Sequence, residues 1–123
     1  MGDYRILLAD DVEANRIIAG ETLRRAGYLV DEVENGADAV AHVLTNIISL
    51  VLMDLNMPVM DGCAAAEAIR QLPDPQGSTP IVAYSAHRSS EERKRCENAG
   101  IDAFIEKPFK LADLVRTVED LIR

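Results

Sequence analysis

Five polar side chains close strand-like stretches of this chain, and together they have the makings of a reaction centre. Asp10-Asp11 follow the run YRILLA, Asp54 ends LVLMD, Ser85 ends IVAYS, and Lys107 follows IDAFIE. Carboxylates crowded into one space repel one another strongly, so something must offset them. A hard divalent cation with oxygen ligands does so, and Mg²⁺ suits one or two carboxylates plus waters and a substrate phosphate. Lys107 adds a compact positive charge and Ser85 a hydroxyl donor. Metal, ammonium and hydroxyl around one carboxylate fit phosphoryl transfer, each taking a charge-bearing oxygen of the moving group. Asp54 would then be the nucleophile and would form an acyl phosphate.

The elements between these residues are what must bring them together. Leu50 to Met53 is a continuous apolar run ending in Asp54, which fits a strand buried on both faces. Asn56, Met57-Pro58 and Asp61-Gly62 read as a loop and a helix start, with Asp61 as N-cap of a helix over about 62–72. Tyr4 to Ala9 reads as the first strand, and a helix follows over about 12–26, closed by Gly27. Its expected buried stripe is Ile18, Ala19, Leu23 and Ala26, with Ile17 beside it and exposed. Tyr28 to Glu34 reads as a second strand, Asn35-Gly36 as a turn, and 37–45 as a second helix carrying Ala39, Val40, Val43 and Leu44. Residues 73–80 are loop chemistry, and Ile81 to Ser85 is the fourth strand.

Ser89 and Glu92 form a capping box for a fourth helix. That helix is nearly all charged and has only Cys96 and Ala99 to bury, so it is weakly anchored. Ile101 to Glu106 is the fifth strand. The last helix starts near Lys110 and shows Leu111, Leu114, Val115, Val118, Leu121 and Ile122 on one face. Five strands alternating with five helices build an α/β doubly wound parallel sheet with helices on both faces. Such a sheet binds ligands at the carboxyl ends of its strands, where all the marked residues fall. In the order 2-1-3-4-5 the first and third strands are neighbours, about 5 Å apart, and three carboxylates share one space.

Bulk properties narrow the function. A chain of 123 residues fits a single domain over 1–123 with a real core. The net charge of −8 argues against nucleic-acid binding by this domain. No apolar run approaches a membrane span, and no signal peptide is evident. Cys63 and Cys96 lack any CxxC spacing and read as buried space-fillers in a reducing cytoplasm.

The marked residues resemble, one by one, those of the receiver domain of two-component response regulators, over essentially the whole chain. The 2-1-3-4-5 strand order above is itself in part an expectation of this resemblance. The family's paired acidic residues appear as Asp10 and Asp11 and its phosphoacceptor as Asp54, within DLNMPVMDG. The resemblance implies Mg²⁺, or Mn²⁺ in its place, held by Asp11, Asp54 and the backbone carbonyl of Asn56, with Asp10 acting mainly through water. It implies Ser85 and Lys107 as ligands of the phosphoryl oxygens, Ser85 and Phe104 as switch residues, and a cis bond before Pro108. Asn56 and His87 fall at positions that modulate aspartyl-phosphate lifetime. The implied partner is a histidine kinase or a histidine phosphotransfer protein. The stretches DDVEANR and MPVMDG are similar to receivers appended to hybrid sensor histidine kinases. The expected output is a changed surface over the fourth helix, fifth strand and fifth helix.

Taken singly, each residue has an ordinary reading: Asp11 as a helix cap, Asp54 and Ser85 as strand ends, Lys107 as a solvated lysine, Phe104 as core. Their order across four strand ends favours the joint reading. An EF-hand start at Asp54 fails at Pro58, Val59 and Ala65. A dinucleotide fold would need glycines where Asp10-Asp11 stand. The remaining alternatives are an aspartate-nucleophile phosphatase of the haloacid dehalogenase kind and a degenerate receiver that only binds partners. The first wants a second Asp where this chain has Asn56; the second is disfavoured by Asp11, Asp54, Ser85 and Lys107 together. The expectation is a phosphorylation switch rather than a dedicated enzyme.

Overall fold

Strand β3, Leu50–Asp54, is buried along its whole length and forms the middle of the molecule. The structure is a computed structural model and describes residues 4–85, 89–107 and 110–122. Around β3 the chain runs β1 (Arg5–Ala9), α1 (Glu13–Arg25), β2 (Leu29–Val33) and α2 (Gly36–Thr45). After it come α3 (Gly62–Arg70), a single 3-10 turn (Gln76–Ser78), β4 (Ile81–Ser85), α4 (Ser90–Asn98), β5 (Ala103–Glu106) and α5 (Leu111–Ile122). The sheet is parallel in the order β2-β1-β3-β4-β5, as expected.

Two apolar layers flank the sheet because alternate residues of each strand face opposite ways. Leu7, Val51, Met53, Ile81 and Ala83 face α2, α3 and α4, where they meet Ala39, Val43, Ala66, Ile69 and Cys96. Ile6, Leu8, Leu52, Val82 and Tyr84 face α1 and α5, where they meet Ala19, Leu23, Leu114 and Val118. The charged strand ends lie beyond these layers, at the carboxyl edge.

Several helix boundaries follow from local chemistry. The Asp61 carboxylate accepts from Ala64 N at 2.8 Å and caps α3, as its position predicts. Asn35 caps α2 in the same way, through Asp38 N at 2.8 Å. Gly27 ends α1 at φ 101°, a conformation that favours glycine. Gly62 is required by close approach: a Cβ there would lie 2.6 Å from the Asp54 carbonyl oxygen and 2.9 Å from Leu55 Cα. The first turn of α3 thus rests directly on the backbone of Asp54.

Helix α1 buries a different stripe from the expected one. Ala19, Gly20 and Leu23 are buried, whereas Ile18 is 54% exposed and Ala26 is exposed. The contact line is turned toward Gly20, and Ile18, about 100° round the helix from Ala19 on the other side, falls outside it. Gly20 permits this because the Arg24 and Glu32 side chains come to 3.1 and 3.3 Å of where its Cβ would stand. Ala26 is the C-cap, past the last turn. Ile17 is half exposed, as expected. On α5 the expected face holds except at its first residue, Leu111, which is 45% exposed.

Helix α4 buries only Cys96 within its span, with Ala99 beneath its end. Its capping box is one-sided. Ser89 Oγ accepts from Glu92 N at 3.0 Å, but Glu92 Oε1 is buried without a hydrogen-bond partner among the described residues. Lateral contacts to α3 supplement this weak footing. Arg95 pairs with Asp61 at 3.0 Å, Cys96 Sγ lies 3.9 Å from Cys63 Sγ, and Arg70 donates to the Gly100 carbonyl at 2.9 Å. Both cysteines are free thiols, and burial pushes each of them up, Cys96 to about 12.

Candidate functional site

The site is assembled where β1, β3 and β5 run out. Asp10 continues β1, its N–H held by the Val33 carbonyl at 3.1 Å, and the residue is fully buried. One carboxylate oxygen accepts from Val12 N at 2.9 Å, and the other accepts from the Tyr84 hydroxyl. Asp11 is exposed. It does not cap α1, whose N-cap residue is Val12 and has no side-chain cap bond. Its ordinary reading as a helix cap is therefore excluded.

Asp54 ends β3 and is 5% exposed. Its Oδ1 accepts from Asn56 N at 3.0 Å, and its Oδ2 faces Lys107 Nζ at 3.4 Å. Lys107 is placed by the β4–β5 ladder, where its N–H donates to the Ser85 carbonyl at 2.8 Å. Its ammonium also stands 4.6 Å from the centre of the Tyr84 ring, within cation–π range. Ser85 closes β4 at the same edge and is fully buried.

The electrostatics follow from this crowding. Burial pushes the Asp54 carboxyl up, and the charge of Asp10 adds to that push. The Asn56 N–H and Lys107 oppose it without cancelling it, so Asp54 stays above the ordinary value of 3.8. Burial, then the bond to Asp10, drives the Tyr84 phenol far above its usual range, so it remains a donor at any working pH.

One oxygen from each of Asp10, Asp11 and Asp54 falls within a 4.8 Å span. Three hard carboxylate oxygens at that spacing, with the Lys107 ammonium beside them, fit a hard divalent cation in composition and charge. The structure thus brings Asp10, Asp11, Asp54 and Lys107 together, with Ser85 and the exposed Asn56 at the margin. Phe104 is half buried in the α3–α4 layer, beside a cavity of about 130 Å³ that Cys96 and Ile101 also line. It pairs with Ala83, two residues before Ser85 on β4. His87 and Pro108 lie outside the described residues.

Tyr84 is the participant that sequence reasoning passed over. Inside an apolar run it reads as core, and most of the ring is core. The signal that could have found it is positional. Asp54 and Tyr84 are register partners on neighbouring strands. Side chains paired in this way share a face of the sheet.

A family model for the response regulator receiver domain matches residues 6–119. The chain belongs to the response regulator receiver family. This receiver is 38% identical over 117 residues to the sensor histidine kinase RcsC of Salmonella typhi, a match covering 94% of this chain and 12% of that protein. It is 39% identical over 116 residues to the sensor protein GacS of Pseudomonas syringae pv. syringae, covering 93% of this chain and 13% of that one. The receiver therefore spans about an eighth of the length of such relatives. Among solved structures it is similar to the receiver domain of a sensor histidine kinase from Pseudomonas aeruginosa PAO1, at 33% identity and a TM-score of 0.90, over 98% of both chains. That structure has a magnesium ion coordinated in its active site cleft. The expected likeness to receivers of sensor kinases is thus borne out, and the receiver is a module of two-component signalling.

Proposed function

We propose that residues 1–123 act as one receiver unit that takes a phosphoryl group from a phosphohistidine onto Asp54, in a Mg²⁺-dependent reaction. The observation that carries this is the Asp54 carboxylate, 3.4 Å from Lys107 Nζ and inside the 4.8 Å group of acidic oxygens. Asp11, Asp54 and the Asn56 carbonyl would hold Mg²⁺ (or Mn²⁺), with Asp10 behind them through water. Bound there, the ion would neutralise charge on the phosphoryl oxygens. An Asp54 oxygen attacks phosphorus. A P–O bond forms as the P–N bond breaks, and the electron pair stays on the imidazole nitrogen of the donor. Lys107 and the Ser85 hydroxyl take phosphoryl oxygens as charge builds on them. Water attacking the same phosphorus later releases inorganic phosphate and restores Asp54. Asn56 and His87 are the positions assigned to tuning the rate of that hydrolysis.

Drawing Ser85 toward the phosphoryl group opens space for Phe104, which stands next to small Ala83. Helix α4, with one buried side chain in its span, shifts most easily. The surface of α4, β5 and α5 changes as a result, a local charge event biasing a two-state element. The partners are a histidine kinase or a histidine phosphotransfer protein in the cytoplasm. Among the described residues no helix is long and apolar enough to cross a membrane.

The test is phosphotransfer from a labelled histidine phosphotransfer protein in Mg²⁺. Wild type takes label, Asp54→Ala takes none, and excess chelator abolishes transfer. Stable labelling of Asp54→Ala would remove Asp54 from its role. Undiminished transfer in chelator would remove the metal.

A further inference from the structure

Asp10 and Lys107 follow β1 and β5, which lie on opposite sides of β3 in the sheet, yet both touch one side chain. Asp10 ends β1, two strands away from β4. Two strand spacings are about 9.5 Å, so a residue of β4 reaches Asp10 only with a long side chain lying across the end of β3. Tyr84 does this, and its hydroxyl donates to Asp10 Oδ2. The remaining oxygen, Oδ1, accepts from Val12 N at 2.9 Å. A fully buried carboxylate with a donor on each oxygen is fixed in direction. The same ring lies beneath the Lys107 ammonium at 4.6 Å. Lys107 meets Asp54 at 3.4 Å, a long contact, so the ring supplies the second surface that sets the height of the ammonium.

We propose that Tyr84 is a positioning residue of the site: its hydroxyl fixes the direction of Asp10, which serves the divalent cation through water, and its ring holds Lys107 over the phosphoryl position. The proposal rests on the magnesium-dependent reading above. Groups that orient metal-binding carboxylates from behind commonly change metal affinity by 10–100-fold when removed. Tyr84→Phe deletes the hydroxyl and keeps the ring, which separates the two roles.

The experiment is calorimetric titration of wild type and Tyr84→Phe with MgCl₂, each first checked for the same thermal transition in chelator. Lys107 side-chain proton shifts are then measured by NMR. Tyr84→Phe is expected to bind Mg²⁺ about ten-fold more weakly. The Lys107 methylene protons are expected upfield in wild type, displaced by the ring, and to stay upfield in the variant. Mg²⁺ affinity within about two-fold of wild type would overturn the hydroxyl's role. Lys107 protons at ordinary shifts in wild type would overturn the ring's role, and that measurement needs no variant. Wild type that binds no Mg²⁺ would instead remove the metal reading on which the proposal stands.

Discussion

Asp10 and Asp54 are both buried acids at strand ends, but they are solvated differently by the protein. Asp10 has a hydrogen-bond donor on each oxygen. Asp54 has one short backbone donor and a lysine at 3.4 Å, and burial leaves it with a raised pKa. A carboxyl raised in the fold and ordinary in the unfolded chain penalises folding when ionised. That penalty is full above the raised folded value. It disappears as pH falls below 3.8, where the unfolded group is protonated too. Asp54→Asn should therefore melt higher than wild type in chelator at pH 7, and the gap should close as the pH falls through the carboxylate range. A variant that melts lower at pH 7 would show that the Lys107 contact outweighs burial.

Between α3 and α4 the fold relies on a few side chains rather than a broad apolar face. Asp61 both caps α3 and pairs with Arg95 of α4. Burial raises the Asp61 carboxyl, but the Ala64 N–H and Arg95 outweigh it, so its pKa is lowered. Its contribution to stability is present above 3.8 and is lost as pH falls through the depressed folded value. Asn caps about as well as Asp, so Asp61→Asn should remove only the exposed ion pair and cost under about 1 kcal/mol at pH 7. Thermal melts of the two proteins should draw together as pH falls below 3.8 and converge only below the depressed folded value. Gly62→Ala should be more damaging, because its Cβ would be forced against the Asp54 carbonyl at 2.6 Å. A loss of about 1–3 kcal/mol by urea unfolding is expected, with slower phosphorylation as the Asp54 backbone shifts. Hydrogen exchange checks the weak footing of α4, whose amides should exchange faster than those of α3.

At the scale of the whole molecule, the carboxyl edge concentrates like charge in a protein already at −8. A cation bound there favours the folded state alone, because the unfolded chain does not hold the three acids within 4.8 Å. Mg²⁺ at a hundred times its dissociation constant should add about 2.7 kcal/mol. The melting temperature should rise with Mg²⁺ and return in excess chelator. The same titration on Asp54→Asn should show a smaller rise, since one carboxylate is gone. An equal rise would mean that the stabilising ion binds elsewhere.

The marked strand ends were legible in the chain because an apolar run stopped by a carboxylate, serine or lysine is a local pattern, and β3 and β4 fall where it predicts. Alternating elements were enough to infer a doubly wound sheet, although the strand order leaned partly on family resemblance. The rotation of α1 was not legible. Ile18 has the hydrophobicity of a core residue, but α1 meets the sheet along Ala19, Gly20 and Leu23 and leaves Ile18 exposed. The role of Tyr84 was decided wholly by tertiary structure. Its hydroxyl meets an acid 74 residues away, and that meeting depends on the register of β4 on β3 and of β3 on β1. Sequence determines which side chains are available at the sheet's edge, since it sets where each strand ends. Which of them touch depends on twist and register, which arise only when the strands pair.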